Sequence, residues 1–473
     1  MCFQSLLPFS IEVVPGGDGV TARAGATLVY EMMRVFGLRE LVAKHVRIQQ
    51  RQGGHSDFDK IADIVLTLAT GGDCVDDVRI LHADPGLCRL LGRTPASAST
   101  LLQLLYEFHD DGLLLAAQEN AKQKDREAYI VEENAALAGL GKVNEEFTRR
   151  IAKHLGLRRA TLDHDATIQE SHKKQAKAHY KKGRGYQPAA IYWVEADQVV
   201  GDEYRDGNVG AGMENLPLIK RGFAMLPKWI CEYYFRADTA SYDIDVLKWL
   251  ANENRANGPQ GHIGFTIGAD MTEALQAVCK KVPEEQWVVL EERIDETVYC
   301  TEVEFTPGDK WSKTAQPLRY LAVRIRKRQG LLFAAGNDTK YLAVVTNRQG
   351  QVAVLLRWHW QKAGTIELVH DVMKNELGAG VPPCARLGAN AAWYRLSALT
   401  YNILSGLKSL ALRAEYESAR PKKLRAMVLT LPARIISHAG RLVVQISEQA
   451  EKMAGIIEAR RKLLMVLKEP AAA

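Results

Sequence analysis

Three short stretches place acids where a metal-assisted reaction could use them. In LDHDAT, Asp163 and Asp165 stand two apart, so on a strand they share one face. In YYFRAD, Asp238 ends an aromatic-rich run expected to be buried, where a carboxylate costs desolvation unless it is paired or bound to a metal. In GTIELVHDVMK, Glu367 opens a helical pattern, and Asp371 and Lys374 follow on the same helix face. Mg2+ takes hard oxygen ligands, often one or two carboxylates together with waters and phosphate oxygens. A pair of such ions about 3.5–4 Å apart can activate an attacking water or 3′-hydroxyl and stabilise the leaving oxygen of a phosphodiester. Three carboxylates from two strands and a helix suit that chemistry. Spacing alone does not single them out, because the chain holds 56 Asp and Glu residues from which other triples could be drawn.

The acids need a scaffold, and the patterning supplies one. RRATLDHDATI reads as a strand, and QPAAIYWVEADQVVGDEYRDGN as two strands joined by a polar turn. ENLPLIKRGFAML is a helix, KWICEYYFRAD a strand, and SYDIDVLKWLANENR a helix. From about 260 to 360, HIGFTIGA, WVVLEER, TVYCTEVEF, YLAVRIRKR, LLFAAG, YLAVVTN and VAVLLRWHW are β-branched or aromatic-rich runs and read as strands, interrupted by the helix MTEALQAVCKKV. Helical periodicity returns in GTIELVHDVMKNEL, in NAAWYRLSALTYNILSGLKSLALRAEY and in the charged tail SEQAEKMAGIIEARRKLLMVLK. Residues 1–150 read as mostly helical, with Ser97 or Ser99 capping LLQLLYEF. Such a unit could be a helix-turn-helix DNA reader, but from this stretch alone a plain helical bundle is the favoured reading.

Bulk properties narrow the class. At 473 residues the chain can form two to four domains. No apolar run reaches the roughly 18 residues of a membrane span, and the N-terminus has no signal-peptide pattern, so a cytoplasmic protein is expected. The seven cysteines, Cys2, Cys74, Cys88, Cys231, Cys279, Cys300 and Cys384, form no CxxC pair. Buried free thiols are expected, with neither a disulfide framework nor a zinc knuckle. The net charge of +6 is modest, but it clusters: residues 171–186 carry Lys173, Lys174, Lys177, Lys181, Lys182 and Arg184 with no acid, and residues 411–473 hold 12 basic against 6 acidic residues. Clustered positive charge favours a polyanionic partner; a solvated helix face is the plainer reading of one such run.

From roughly residue 55 to 450 the sequence resembles bacterial insertion-sequence transposases of the DDE type, whose catalytic domain is RNase H-like. Gly71 to Asp84 and LLGRTPASAST are similar to the family's N-terminal helical region. LDHDAT is similar to the first catalytic strand, where an Asp closely precedes a Thr, which favours Asp165 over Asp163 as the first ligand. Arg205, Gly207 and Asn208 in YRDGN resemble the turn after the next strands, and FRADTASY resembles the second catalytic strand, with Asp238 as its ligand. YLAVVTNR and WHWQKAGTIELVHDVMK resemble the last strand and the Glu-bearing helix, with Lys374 at the family's Glu-x6-Lys spacing. NAAWYRLSALTYNI and RAMVLTLPARIISHAGRLVV resemble the closing helices and tail. Asp165 and Asp238 lie 73 residues apart, and Asp238 and Glu367 lie 129 apart; related enzymes fill that long gap with a β-rich insertion. Where relatives carry a Tyr and an Arg before the Glu, this chain has Trp360 and Gln361-Lys362-Ala363. Trp360 can still stack on a base and Lys362 can meet a phosphate without arginine's fork. Trp287 and Trp311 could stack on an extruded base, although packed aromatics are the commoner outcome.

The resemblance implies an α+β or α/β fold with an RNase H-like mixed-sheet core. It divides into a helical DNA-end-binding region (1–150), the core (151–258 and 350–410), a β-rich insertion (259–349) and a helical C-terminal region (411–473). It implies a DNA transposase in which Asp165, Asp238 and Glu367 hold two Mg2+ or Mn2+ ions, with Asp163 the alternative first ligand. Lys173, Lys174, Lys181, Lys182, Arg184, Trp360, Lys362 and Lys374 would contact DNA. The expected partners are terminal inverted repeats and target DNA, bound by a homodimer with no membrane association, in a bacterial, nucleoid-associated setting. Two readings compete: an RNase H-like nuclease without strand transfer, and a catalytically silent transposase-derived DNA-binding protein.

Overall fold

A computed structural model of the chain describes residues 2–4, 10–12, 19–49, 53–307, 311, 317–327, 339–446 and 450–468. Its centre is one continuous nine-stranded sheet. The strands are β1 (Arg159–Ala166), β2 (Ala189–Trp193), β3 (Gln198–Glu203), β4 (Glu232–Ala237), β5 (Ile263–Ala269), β6 (Val288–Glu292), β7 (Glu296–Val303), β8 (Arg319–Lys327) and β9 (Thr339–Thr346). They lie in the order β6-β7-β8-β9-β5-β4-β1-β2-β3. β1, β4 and β5 run parallel, while β2 and β3 form an antiparallel hairpin on β1. This is the mixed-sheet core expected from the resemblance. β9 pairs antiparallel with β5, so β6 to β9 extend the same sheet beyond the core strands.

Alternation along the strands sends side chains into two cores. Ala160 and Leu162 of β1, Phe235 and Ala237 of β4, and Ile263, Phe265 and Ile267 of β5 join one core. The helices α1 (Asn215–Ala224) and α2 (Ile244–Ala251) contribute to it through residues such as Leu218, Phe223, Val246 and Trp249. On the opposite face, Ala190, Tyr192 and Val199 join a core built mainly from helices. Its axis is a long helix (Leu387–Leu410), which packs against helices Asp57–Ala69, Ala98–Tyr106 and Ala135–His154. The helical N-terminal region thus buries its apolar faces in the same core as the sheet. Ser56 and Asp59 form a capping box on helix Asp57–Ala69, and Ser97 caps Ala98–Tyr106.

Several sequence expectations are corrected. VAVLLRWHW is a helix (Val352–Trp360), not a strand. Its buried residues Leu355 and Leu356 and its half-buried Val352 and Trp360 all face a third core, and three-to-four spacing overrides the β-branched composition. The C-terminal region is not wholly helical: Ala433–His438 and Arg441–Ile446 form a hairpin. Ala439 and Gly440 both have positive φ at its turn, which the tight hairpin demands. Short strands also occur before residue 24, where Cys2–Gln4 pairs with Ser10–Glu12 and Val20–Thr21 joins the C-terminal hairpin. LLFAAG lies outside the described residues. Six cysteines are free thiols: Cys279, Cys300 and Cys384 are buried, Cys74 and Cys88 are partly exposed and Cys231 is exposed. Among the described residues, no helix is long and apolar enough to cross a membrane.

Candidate active site

Parallel pairing of β1 with β4 sets the site. Asp163 lies opposite Arg236 and His164 opposite Ala237. Continuing the register places Asp165 beside Asp238 at the C-terminal ends of both strands. The alternate residues Leu162, Phe235 and Ala237 point into the other core, so the polar set shares one face. Helix α3 (Ile366–Glu376) lies across that face, with Glu367 in its first turn.

The two candidate aspartates of β1 have different surroundings. Asp163 is fully buried and held bidentately by Arg236, with Oδ1 accepting from Nε at 2.7 Å and Oδ2 from Nη2 at 2.8 Å. Thr365 Oγ1 also donates to Oδ2. Burial pushes the Asp163 carboxyl up, against the pull of Arg236 and Thr365. Asp165 has no such clamp. Its side chain is 14% exposed and opens into a cleft of about 220 Å³ lined also by Glu367, His370 and Lys374. Burial raises its carboxyl to about 6, with Asp238 and Glu367 adding to the rise and Lys362 opposing it. Asp238 is exposed, and its carboxylate caps the following turn by accepting from Ala240 N at 3.1 Å. The desolvation expected there does not arise.

Lys362 occupies an unexpected position for a surface phosphate contact. Its side chain is 7% exposed, and Nζ lies 3.5 Å from Asp165 Oδ1 and 3.9 Å from Glu367 Oε1. The short turn Gln361–Gly364 carries it. That turn is pinned on both sides: Arg236 Nη1 donates to Trp358 O at 2.8 Å, and the single Thr365 Oγ1 hydrogen is shared between Lys362 O, at 2.9 Å, and Asp163 Oδ2. Arg236 and Thr365, which hold Asp163 and this turn in place, were not among the residues singled out from the sequence. A signal existed: Arg236 precedes Asp238 by two, as Asp163 precedes Asp165 by two, so pairing the acids also pairs the opposite charges.

Buried histidines back the site. His164 Nδ1 lies 2.8 Å from Ser241 Oγ, and burial lowers its ring to about 3. His370 is likewise lowered to about 3 by burial and by Lys362. Both rings are neutral near pH 7 and add no positive charge next to the acids.

The remaining predicted DNA contacts divide. Lys374 Nζ donates to Ile168 O at 2.7 Å, half-buried on the cleft wall. The basic stretch is not a helix face: Gln169–Glu170, Lys177–Ala178 and Arg184–Tyr186 form a three-stranded sheet. Arg184 spends its guanidinium on Ala176 O and Lys174 O, and Lys173 donates to Pro382 O. Lys174, Lys177, Lys181 and Lys182 are exposed. Trp360 is half-buried against the third core, and Trp287 and Trp311 are buried in the core that also takes Leu162 and Phe235. Gly207 backs the basic sheet so closely that a Cβ there would lie 2.6 Å from Gly185 O and 2.7 Å from Lys177 O. Gly207→Ala is therefore expected to push the sheet away and speed amide exchange across 169–186; unchanged exchange would argue against this packing.

Three carboxylates, one of them raised by burial and further by its two neighbours, form a hard-oxygen donor set suited to a divalent cation. An ammonium already stands between two of them as the local positive charge. Among the described residues, the group whose ligand atoms all lie within 4.8 Å of one another is instead Asp73, Cys74 and Asp77. There, Asp77 accepts from the backbone N–H groups of Asp73 and Cys74 at 2.8 and 3.2 Å, which makes it a turn cap. A roomier cavity of about 520 Å³ beside β3 is lined by a buried structural network, in which Arg395 binds Asp202 at 2.9 Å and Glu133 at 2.7 Å.

The family described as transposase DDE domain group 1 matches residues 3–465. No curated protein matches the chain. Among solved structures, it is similar to the piggyBac transposase in a synaptic complex with hairpin DNA, at 12% identity and a TM-score of 0.44, over 87% of this chain and 82% of that one.

Proposed function

The chain belongs to the transposase DDE domain group 1 family, and from that premise we propose that Asp165, Asp238 and Glu367 are the catalytic carboxylates of this DNA transposase and would hold two divalent ions, Mg2+ or Mn2+. The supporting observation is that Asp165 and Glu367 meet around Lys362, while the parallel register sets Asp238 beside Asp165 on the adjacent strand. Asp163 is set aside because its oxygens are committed to Arg236 and Thr365. Bound ions would activate the attacking hydroxyl group and stabilise charge on the phosphodiester during transfer.

The chain's own residues orient the DNA around that point. Lys374, fixed by Ile168 O on the cleft wall, is placed to meet a phosphate beside the cut. Lys174, Lys181 and Lys182 project from the basic sheet, which Arg184 braces from within. Changing these three lysines together to glutamine is expected to weaken DNA binding. It should also reduce the slope of log K against log salt by about 2–3, one counterion per lost phosphate contact. An unchanged slope in a filter-binding titration would remove the basic sheet from the interface.

In this reading the N-terminal helices (1–150) bind the terminal inverted repeats, 259–349 is the β-rich insertion, and the C-terminal region joins two copies on DNA. Ile457, Leu464, Met465 and Leu467 stay largely exposed on its last helix, which supports a self-contact there. Light scattering with and without terminal-repeat DNA tests the dimer. Strand transfer by pre-cleaved ends separates a transposase from a nuclease: a nuclease would cut and join nothing.

A further inference from the structure

We propose that Lys362 is a positioning residue that acts as an internal counter-ion. Its ammonium occupies the space between Asp165 and Glu367 for which a divalent ion competes, so that metal binds weakly until DNA offers the lysine a phosphate. The inference rests on the reading of Asp165, Asp238 and Glu367 as the metal-binding acids.

The geometry carries it. A lysine buried to 7% exposure needs a nearby anion to offset its lost hydration. The carboxylates in its reach are Asp165 at 3.5 Å and Glu367 at 3.9 Å. Both distances exceed a direct charge-assisted hydrogen bond of about 2.7–2.9 Å, so the ammonium is shared between two acids and committed to neither. Its backbone, by contrast, is fixed: Arg236 holds Trp358 O and Thr365 ties Lys362 O to Asp163. A fixed base with a flexible four-carbon stem lets the charge swing between two partners.

A cation entering among these acids would stand within a few ångströms of Nζ, where like charges repel strongly in a partly buried site. DNA reverses the balance, because a backbone phosphate brings negative charge that can draw the ammonium away from the acids. Metal affinity and DNA binding are thereby coupled, and by linkage the coupling runs in both directions.

The test is Mn2+ binding to the full chain, read by electron paramagnetic resonance of free Mn2+, with and without a terminal-repeat duplex. Lys362→Gln and Lys362→Met are expected to bind Mn2+ about tenfold tighter than the unchanged protein without DNA, because the repulsion is gone. They should also lose most of the tightening that DNA brings. Lys362→Arg keeps the charge and should stay near the parent. In the unchanged protein, Mn2+ without DNA, at concentrations that the resonance titration shows to saturate the site, should raise the acylation of Lys362 by an amine reagent, measured by mass spectrometry, as the ammonium is expelled; this arm does not depend on any variant folding. Equal or weaker Mn2+ binding in Lys362→Gln, or acylation unaffected by Mn2+, overturns the proposal. Asp165→Asn separates the two levels of inference. If it leaves Mn2+ affinity unchanged, the acid site itself is wrong; if it weakens binding while Lys362→Gln fails to tighten it, only the lysine's role falls.

Discussion

Asp238→Asn is expected to abolish DNA cleavage, by a factor of about a thousand or more, while the protein keeps its fold and its affinity for DNA ends. The size follows from losing one ligand to the ions that would stabilise charge in phosphoryl transfer, where a single electrostatic contact is worth about a hundred- to a thousandfold and the ions depend on all three acids. The small structural cost follows from exposure: Asp238 caps a three-residue turn and touches no core, so its loss should cost about 0.5–2 kcal/mol at most. Asp165→Asn and Glu367→Gln should behave alike in cleavage. A gel assay on a labelled terminal-repeat duplex reads the loss, and a binding titration on the same duplex shows that recognition survives. Cleavage by Asp238→Asn within tenfold of the parent would remove Asp238 from the site. Loss of cleavage in none of the three would end the catalytic reading.

Arg236→Met should fail differently, by unfolding the site. It leaves the Asp163 carboxylate fully buried without its bidentate partner. Breaking a buried pair from one side costs about 3–5 kcal/mol, because the remaining charge has no water to turn to. The double variant Arg236→Met with Asp163→Leu should recover much of that loss, since the uncompensated charge is removed as well. Urea denaturation followed by tryptophan fluorescence measures both. The single variant should also lose cleavage, because Arg236 holds Trp358 O and, through Asp163 and Thr365, the turn that carries Lys362. Stability of Arg236→Met within about 1 kcal/mol of the parent would mean that the pair is not desolvated as its burial indicates.

The contrast between Asp238 and Arg236 explains how much of this site was legible beforehand. Periodicity marked the strands that carry Asp165 and Asp238 and the helix that opens at Glu367, because each has the alternation or the three-to-four spacing of its element. The same reasoning failed on VAVLLRWHW, where composition argued strand and the spacing of Val352, Leu355 and Leu356 argued helix. It failed again at ARIISHAGRLVVQI, where β-branched runs flank an Ala-Gly turn and the hairpin signal lay unread. Lys362 could not have been placed, since nothing local distinguishes a lysine that will be folded under a helix from one left in water.

By itself the sequence determined the strands that carry Asp165 and Asp238, the helix that opens at Glu367, and the order in which their acids occur. Strand pattern alone did not separate Asp163 from Asp165, because residues two apart on a strand share a face; only the resemblance, through Thr167, favoured Asp165. The tertiary structure set them apart. Parallel register brings Arg236, from 73 residues later in the chain, against Asp163 and leaves Asp165 one step further on, facing Lys362 and the cleft. A charge finds its partner through space, and only the packing of β1 against β4 fixes which of the two carboxylates is neutralised and which is left open.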